Sequence, residues 1–202
     1  MQKQRKAQTV LEKRSEALKY LTQEQVRALF QAAAKRPVRD RLLLAFAYRF
    51  GMRTNELIEL LAKAVDSARG EVSIQGAKNG LLRTYTIPRD LKPLVRTYQR
   101  ERDDSVTQFF TGQRGRLHRV RAYMIFREIA DAAGLPEGIG LHSLRHSAAV
   151  HALDAGLTTE DVRDLLRHAR LASTEVYAVL SQKRRGNYQQ RLAESSEVVK
   201  IR

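Results

Sequence analysis

The sequence contains no cysteine, so the chain can form neither a disulfide bond nor a thiolate zinc site. This absence fits a reducing compartment. No apolar run approaches the roughly 18 residues that a membrane-spanning helix needs, and the N-terminus lacks the apolar core of a signal peptide. Together these absences lead us to expect a cytoplasmic protein with no membrane partner.

Acidic residues are scarce relative to basic ones. The 202 residues include 22 aspartates and glutamates against 37 lysines and arginines, which gives a formal net charge of +15. Such an excess favours a polyanionic partner, either nucleic acid or an acidic membrane. A protein that is merely basic is the alternative, and it is disfavoured because the basic residues recur along the whole chain rather than in one tail.

Hydrophobic residues make up 43% of the chain and mostly follow helical spacing. The pattern predicts a mainly α fold with a small antiparallel β-sheet, of class α+β. Capping boxes are expected where Thr22 precedes Gln25 and where Thr158 precedes Asp161, and Asp90 is expected as an N-cap. Helices are predicted at residues 22–36, 40–50, 56–61, 91–98, 118–133, 142–156 and 187–199, from Thr158 onward, and around Tyr177.

Two strands are predicted, at Glu71–Gln75 and at residues 82–87, where β-branched and aromatic residues are frequent. The intervening residues 76–80 are rich in turn formers, so we expect a hairpin with Lys78 at its tip. A lysine at such a tip is ordinarily a solvated side chain.

Three segments carry side chains suited to phosphate chemistry: residues 50–57, 142–146 and 166–177. The first contains Arg53, the second reads His-Ser-Leu-Arg-His, and the third reads Leu-Arg-His before Thr174 and Tyr177. Arginine grips phosphate oxygens with a planar fork, and histidine moves protons near neutral pH. A tyrosine hydroxyl can attack phosphorus and form a covalent intermediate.

In this order and spacing the segments resemble the motifs of the tyrosine recombinases, or phage-integrase family, across residues 20–180. The family patterns are T-G-[LM]-R-x-x-E-L, H-x-L-R-H and L-G-H-x-x-x-x-T-x-x-Y. The resemblance implies the tyrosine-recombinase catalytic-domain fold in residues 20–202. It also implies a DNA strand-transferase, a site-specific recombinase or integrase of the kind that mobile elements use. Such an enzyme cuts and rejoins DNA through a 3′-phosphotyrosine during integration, excision or inversion.

The resemblance assigns six catalytic residues: Arg53, Lys78, His142, Arg145, His168 and Tyr177. The two arginines are expected to clamp the phosphate that Tyr177 attacks, and cationic neighbours are expected to lower the pKa of Tyr177. His142 is expected to accept the tyrosine proton, His168 to bond a phosphate oxygen, and Lys78 to protonate the leaving 5′-oxygen. Since arginines supply the positive charge, no cofactor and no metal is expected.

Three further arginines are candidates for DNA contact. Arg114 and Arg116 lie in a basic loop at residues 111–116, and such loops often contact phosphates. Arg167 stands where the family has glycine. If that position requires a positive φ, arginine is strained there; if it is helical, Arg167 is another phosphate contact.

The histidines and tyrosines also have structural interpretations. His142 and His146 have the spacing of a zinc-binding pair, but Arg145 lies beside them and no third ligand is evident. We expect His146 to be a buried, hydrogen-bonded histidine and His151 to be a packing or surface residue. Four tyrosines fall on apolar faces and are expected in the core: Tyr48, Tyr85, Tyr98 and Tyr123.

Double-stranded DNA is the expected partner, and the protein is expected to be nucleoid-associated. We expect a monomer in free solution, a homotetramer on synapsed DNA, and accessory DNA-bending proteins. The C-terminal segment at residues 187–199 is expected to dock on a neighbouring subunit. Residues 1–19 are polar and basic, and we expect an N-terminal arm that is solvated or lies along DNA phosphates.

The family's N-terminal core-binding domain is expected to be absent, since only the arm precedes residue 20. The chain is then either a shortened protein or similar to single-domain members that invert fimbrial promoter segments. The alternative function is a non-catalytic DNA-binding or directionality factor that retains the fold. Only the enzyme would become covalently attached to DNA, while a metal-dependent nuclease has little support.

Overall fold

The computed structural model describes residues 17–76, 81–168 and 173–181. Within them, a 3₁₀ turn covers Ala62–Ala64 and residues 175–181 form a further helical segment. The main helices are α1 (Gln23–Ala33), α2 (Val38–Arg49), α3 (Thr54–Ile58), α4 (Lys92–Glu101), α5 (Arg119–Ala132), α6 (Leu141–Asp154) and α7 (Thr159–Leu165). With the small antiparallel sheet described next, this confirms the mainly helical fold.

The main sheet has three antiparallel strands in the order β1–β2–β3: Val65–Asp66, Glu71–Gln75 and Leu82–Thr86. The two longer strands confirm the predicted hairpin, and Val72 lies opposite Tyr85. The sequence analysis missed β1, because two residues are too short to show an alternating pattern. Lys78 and its turn lie outside the described residues.

A second, smaller hairpin replaces the loop expected at residues 111–116. Its strands are β4 (Thr111–Gly112) and β5 (Gly115–Arg116), joined by a two-residue turn. Gly115 has a φ of 96°, a conformation that glycine adopts without a steric cost. Arg114 therefore lies in a tight turn.

Helix α2 is the centre of the main core. Residues 42–47 are all buried, as expected for a helix that is apolar on every side. Phe46 packs against Phe50, Phe109 and Phe110, with ring centroids 5.0 to 5.8 Å apart. The helix also packs against α6, so the core directly supports the segment that carries His142 and Arg145.

Helix α5 corrects one of the predicted core positions. Its buried face is formed by Ala122, Ile125, Phe126 and Ile129, which lie three or four residues apart along one helical stripe. Tyr123 lies beside that stripe and is 53% exposed, so the prediction that it belongs to the core is wrong. Tyr98 is buried, whereas Tyr48 and Tyr85 are partly buried.

Two of the three predicted helix caps are present. The capping boxes at Thr22 and Thr158 are both present. The expected cap at Asp90 is wrong: α4 begins after Leu91, and the Asp90 carboxylate instead accepts a bond from Arg49 at 3.0 Å. Among the described residues, no helix has the length and apolar character needed to span a bilayer.

Candidate active site

The turn before α3 places Arg53. Gly51 has a φ of 54°, and a β-carbon there would approach the Leu166 side chain to 2.6 Å, so both conformation and space require glycine. Arg53 follows as the N-cap residue of α3, and its side chain remains 30% exposed. One guanidinium nitrogen bonds the Glu56 carboxylate at 2.8 Å. Arg53 is therefore anchored but still accessible to a ligand.

Arg145 lies on α6 and is only 2% exposed. Its guanidinium donates to the carbonyl oxygens of Gly51 and, at 2.8 Å, of Leu166. The same nitrogen that bonds Leu166 lies 2.9 Å from Nε2 of His168. Arg145 thus joins the Arg53 turn to the His168 turn, which are distant in sequence.

His168 receives a hydrogen bond on one ring nitrogen and donates one from the other. A guanidinium has only donors, so Nε2 must accept from Arg145 and the proton must lie on Nδ1. Nδ1 then donates to Thr174 Oγ1 at 2.9 Å. Burial, followed by the charges of Arg145 and Arg53, lowers the pKa of His168 to about 3. The imidazole is therefore neutral at physiological pH.

Glu56 is the site residue whose role the sequence analysis did not identify. Its side chain is 2% exposed, and its carboxylate accepts bonds from the Arg53 backbone N–H at 2.9 Å and from Arg167 at 2.8 Å. Burial alone would raise the pKa of Glu56, but Arg167, the Arg53 N–H and Arg145 together lower it. An ionised carboxylate thus lies under the site. The available sequence signal was its position three residues after the N-cap.

The Arg167 side chain does not lie where a DNA contact was expected. Its φ is 54°, and its side chain is fully buried. The guanidinium donates to the carbonyl oxygens of Phe50 at 2.9 Å and Gly51 at 3.1 Å, and it lies 5.4 Å from the centre of the Tyr85 ring. The expectation of a phosphate contact is wrong for this conformation, because these donors face the protein interior.

Tyr177 lies in the helical segment 175–181 and is 3% exposed. Its ring belongs to a second, small core with residues of α6 and α7. The hydroxyl lies 2.8 Å from Nδ1 of His146. Burial raises the pKa of Tyr177, against the opposing effect of Arg145 and Arg53. Arg145 and Arg53 therefore act in the expected direction, but burial outweighs them, so the expected net lowering of this pKa is wrong.

The three histidines of α6 lie in different environments. His142 is exposed at the start of α6, and its ring centroid is 6.3 Å from that of His146. His146 is partly buried and hydrogen-bonded, as expected, but its partner is the nucleophile candidate. His151 is buried and bonds the Tyr48 hydroxyl at 2.9 Å, which confirms its packing role. No cluster of potential metal ligands occurs in the described part of the chain.

Arg114 and Arg116 line a basic cleft of about 720 Å³, together with Arg39, His118 and Arg121. Both side chains belong to exposed residues. Arg116 is paired with Glu59 at 2.6 Å across the surface, a type of contact that costs little to exchange for another anion. The cleft is thus available to a negatively charged ligand.

Known proteins resemble this sequence along most of its length. The phage integrase family profile matches residues 19–184. The tyrosine recombinase XerA of Pyrococcus furiosus is 32% identical over 169 residues, which cover 82% of this chain and 58% of that protein. The type 1 fimbriae regulatory protein FimE of Escherichia coli K12 is 32% identical over 167 residues, covering 79% of this chain and 84% of that protein.

Solved structures share the fold. A crystal structure of XerA recombinase superposes with a TM-score of 0.74 at 22% identity, covering 85% of this chain and 64% of that one. XerH site-specific recombinase bound to difH substrate, in a pre-cleavage complex, gives 0.70 at 24% identity, covering 79% and 50%. This chain thus spans little more than half the length of XerA.

Proposed function

Because this chain belongs to the phage integrase family, we propose that it is a tyrosine-type site-specific recombinase. It would cut and rejoin DNA strands through a 3′-phosphotyrosine, in integration, excision or inversion. The observation that carries the proposal is the Arg145–His168–Thr174 chain of hydrogen bonds. It ties the second motif to the segment that holds Tyr177, and Arg145 also reaches the first motif through Gly51.

In the proposed chemistry two arginine side chains supply positive charge, and they differ in how freely they can move. Arg145 is fixed by protein acceptors, whereas Arg53 is partly exposed and can turn toward a phosphate. Negative charge gathers on the non-bridging oxygens when an oxygen nucleophile attacks phosphorus, and preorganised cations stabilise it. Both ring nitrogens of the neutral His168 are already hydrogen-bonded, to Arg145 and Thr174. His168 can therefore bond a phosphate oxygen only by giving up one of these partners.

Protonation of the leaving 5′-oxygen is assigned to Lys78. A covalent phosphotyrosine keeps the energy of the broken bond, so rejoining needs no cofactor. Arg53 and Arg145 supply positive charge here, and arginines can stabilise the transition state without a metal, while the Glu56 carboxylate is held by arginines beneath the site.

Double-stranded DNA is the proposed substrate. The net charge of +15 and the cleft around Arg114 support this choice, and the solved XerH complex contains its DNA substrate. Assembly as a tetramer on synapsed DNA from free monomers, accessory DNA-bending proteins and a location at the nucleoid belong to the same proposal. The arm at residues 1–19 and the segment at residues 187–199 would then contact DNA and a neighbouring subunit.

One observation favours the alternative, a DNA-binding or directionality factor. Tyr177 is buried, and burial raises the pKa of its hydroxyl, which in this conformation disfavours attack. The two functions differ in a single product, because only the recombinase forms a covalent bond to DNA.

The test is incubation with nicked half-site DNA from its cognate site, which traps the covalent product. We expect a denaturation-resistant protein–DNA adduct that forms in EDTA and disappears in Tyr177→Phe, while folding and DNA affinity persist. Persistence of the adduct in Tyr177→Phe would overturn the assignment of the nucleophile. Its absence from the unmodified protein would favour the binding factor.

A further inference from the structure

Resting on the proposed function, we propose that His146, not His142, accepts the proton of Tyr177 during strand cleavage. The carrying observation is the 2.8 Å contact between the Tyr177 hydroxyl and Nδ1 of His146. This separation lies within the range in which a general base takes a proton directly. The expectation derived from the family motif had given this role to His142.

The hydrogen bond fixes which atoms participate. A phenol hydroxyl can donate or accept, so this contact allows either ring tautomer; the proposed step uses the one with the proton on Nε2, in which Nδ1 of His146 accepts from the phenol O–H. In this tautomer His146 is neutral, and its Nδ1 can receive a proton. Burial, followed by the charges of His142 and Arg145, lowers the pKa of His146 to about 4, in agreement with that state.

Other bases near the site are already engaged. Both ring nitrogens of His168 are in hydrogen bonds, to Arg145 and to Thr174. Glu56 is held by arginines beneath the site. His142 begins the same helix, one turn before His146, and its side chain is exposed. Of these groups, His146 is the one whose ring nitrogen is in contact with the tyrosine oxygen.

The proposed step moves one proton and replaces one oxygen bond to phosphorus with another. The Tyr177 O–H proton passes to Nδ1 of His146 while the phenolic oxygen forms a bond to phosphorus. The bond from phosphorus to the 5′-oxygen breaks, and that oxygen takes a proton from the separate acid, Lys78 in the proposed function. In rejoining, the imidazolium of His146 returns its proton to the departing Tyr177 oxygen, as microscopic reversibility requires.

Because its pKa is lowered, His146 is a weak base. It suits this role only if it takes the proton while the Tyr177 oxygen attacks phosphorus. The groups that lower the pKa of His146 after burial are His142 and Arg145 on its own helix, and Tyr177 faces it from the helical segment 175–181. A phosphate bound at the arginines brings negative charge that offsets the effect of Arg145. The affinity of His146 for a proton therefore rises in the complex in which the proton is transferred.

The test combines a substitution with an altered nucleophile. His146→Asn keeps an acceptor atom near the position of Nδ1 but removes the base. A fluorinated tyrosine introduced at position 177 loses its proton more readily, because fluorine withdraws electron density, and so it has less need of a base. Single-turnover adduct formation on nicked half-site DNA would be measured for the unmodified protein, each single change and the combination.

We expect His146→Asn to slow adduct formation by about 10²- to 10⁴-fold, the usual contribution of a general base. Fluorotyrosine should restore most of that loss, whereas a substrate with a sulfur leaving atom should not. DNA affinity and melting temperature are followed in parallel. Should His146→Asn unfold, His146→Gln replaces it in the same comparison, since rescue by fluorotyrosine does not follow from a purely structural defect.

His142→Asn is the matched comparison on the same helix. If its loss of rate is the one that fluorotyrosine restores, the base is His142 and the proposal is overturned. An unchanged rate in His146→Asn, or a loss that fluorotyrosine does not restore, also overturns it. Failure of the unmodified protein to form any adduct on cognate DNA instead rejects the recombinase function itself, and the two failures are thereby distinguished.

Discussion

Arg145 and His168 share one hydrogen bond, 2.9 Å from Nη2 to Nε2, in which the imidazole is the acceptor. The polarity of this bond fixes the tautomer of His168 and directs its remaining proton at Thr174. One buried guanidinium therefore determines how the segment leading to Tyr177 is attached to α6.

Arg145→Lys should abolish most cleavage while preserving the positive charge. A lysine ammonium cannot reproduce the planar fork that bonds two carbonyl oxygens and His168 together. We expect adduct formation to fall about 10²- to 10³-fold, as when one preorganised donor is lost. Quenched single-turnover cleavage measures this. Near-normal cleavage by Arg145→Lys would mean that charge alone is sufficient.

Arg167→Gly should lower stability even though glycine suits the positive φ. The change relieves about 1–2 kcal/mol of backbone strain. It also removes one of the arginines that pair with the buried Glu56 carboxylate, and breaking a buried ion pair typically costs about 3–5 kcal/mol. Adding Glu56→Gln should recover part of the stability, because the group that has lost a partner then carries no charge. Denaturant unfolding of the two single variants and the double variant measures the coupling, and strictly additive effects would contradict it.

Stability should fall as the pH is lowered from about 6.5 toward 4. The pKa values of His146 and His168 are lowered to about 4 and about 3 in the folded protein, so the unfolded chain binds protons first. Each histidine contributes a slope of at most about 1.4 kcal/mol per pH unit. Chemical unfolding at several pH values should show a smaller slope for His168→Gln. His118→Gln, at an exposed position, is the comparison variant.

DNA binding should weaken steeply as salt is raised, because arginines that contact phosphates release counterions. Replacing Arg114 by alanine should reduce the slope of log K against log salt by about 0.9 if it contacts one phosphate. Arg116→Ala should reduce it less, since Arg116 is already paired with Glu59. Titrations at several salt concentrations test both. Equal slopes for all three proteins would remove this cleft from the DNA interface.

Lys78→Ala should slow cleavage of ordinary DNA, and replacing the 5′-oxygen by sulfur should restore much of the rate. A sulfur leaving atom needs little protonation, so it does not depend on a general acid. The same substrate on the unmodified protein provides the reference rate. Without such rescue, Lys78 would be a phosphate contact or a solvated turn residue.

Local rules predicted those elements whose determinants are close in sequence. The capping box at Thr22 and the apolar run at residues 42–47 of α2 were both readable, because a few neighbouring residues decide them. The motif spacing likewise indicated which residues to consider. It did not indicate that His146 rather than His142 contacts Tyr177, because that pairing depends on how α6 meets a segment more than 30 residues later.

Long-range placement also explains the errors at Arg167 and Tyr123. Arg167, beside His168, was a candidate phosphate contact, yet its acceptors are Phe50, Gly51 and Glu56, more than 110 residues earlier. Tyr123 has the composition of a core residue but lies one position away from the stripe that α5 buries. Neither placement is encoded in local spacing.

The burial of Tyr177 separates its reactivity from that of other phenols in the protein. Reagents that modify phenol rings from solution reach Tyr123, which is 53% exposed, far more readily than Tyr177, which is 3% exposed. The residue that would become covalently linked to DNA is thus sheltered from reagents in solution in this conformation. Under the proposed function, a freely diffusing protein in this conformation would keep its nucleophile covered as it passes DNA.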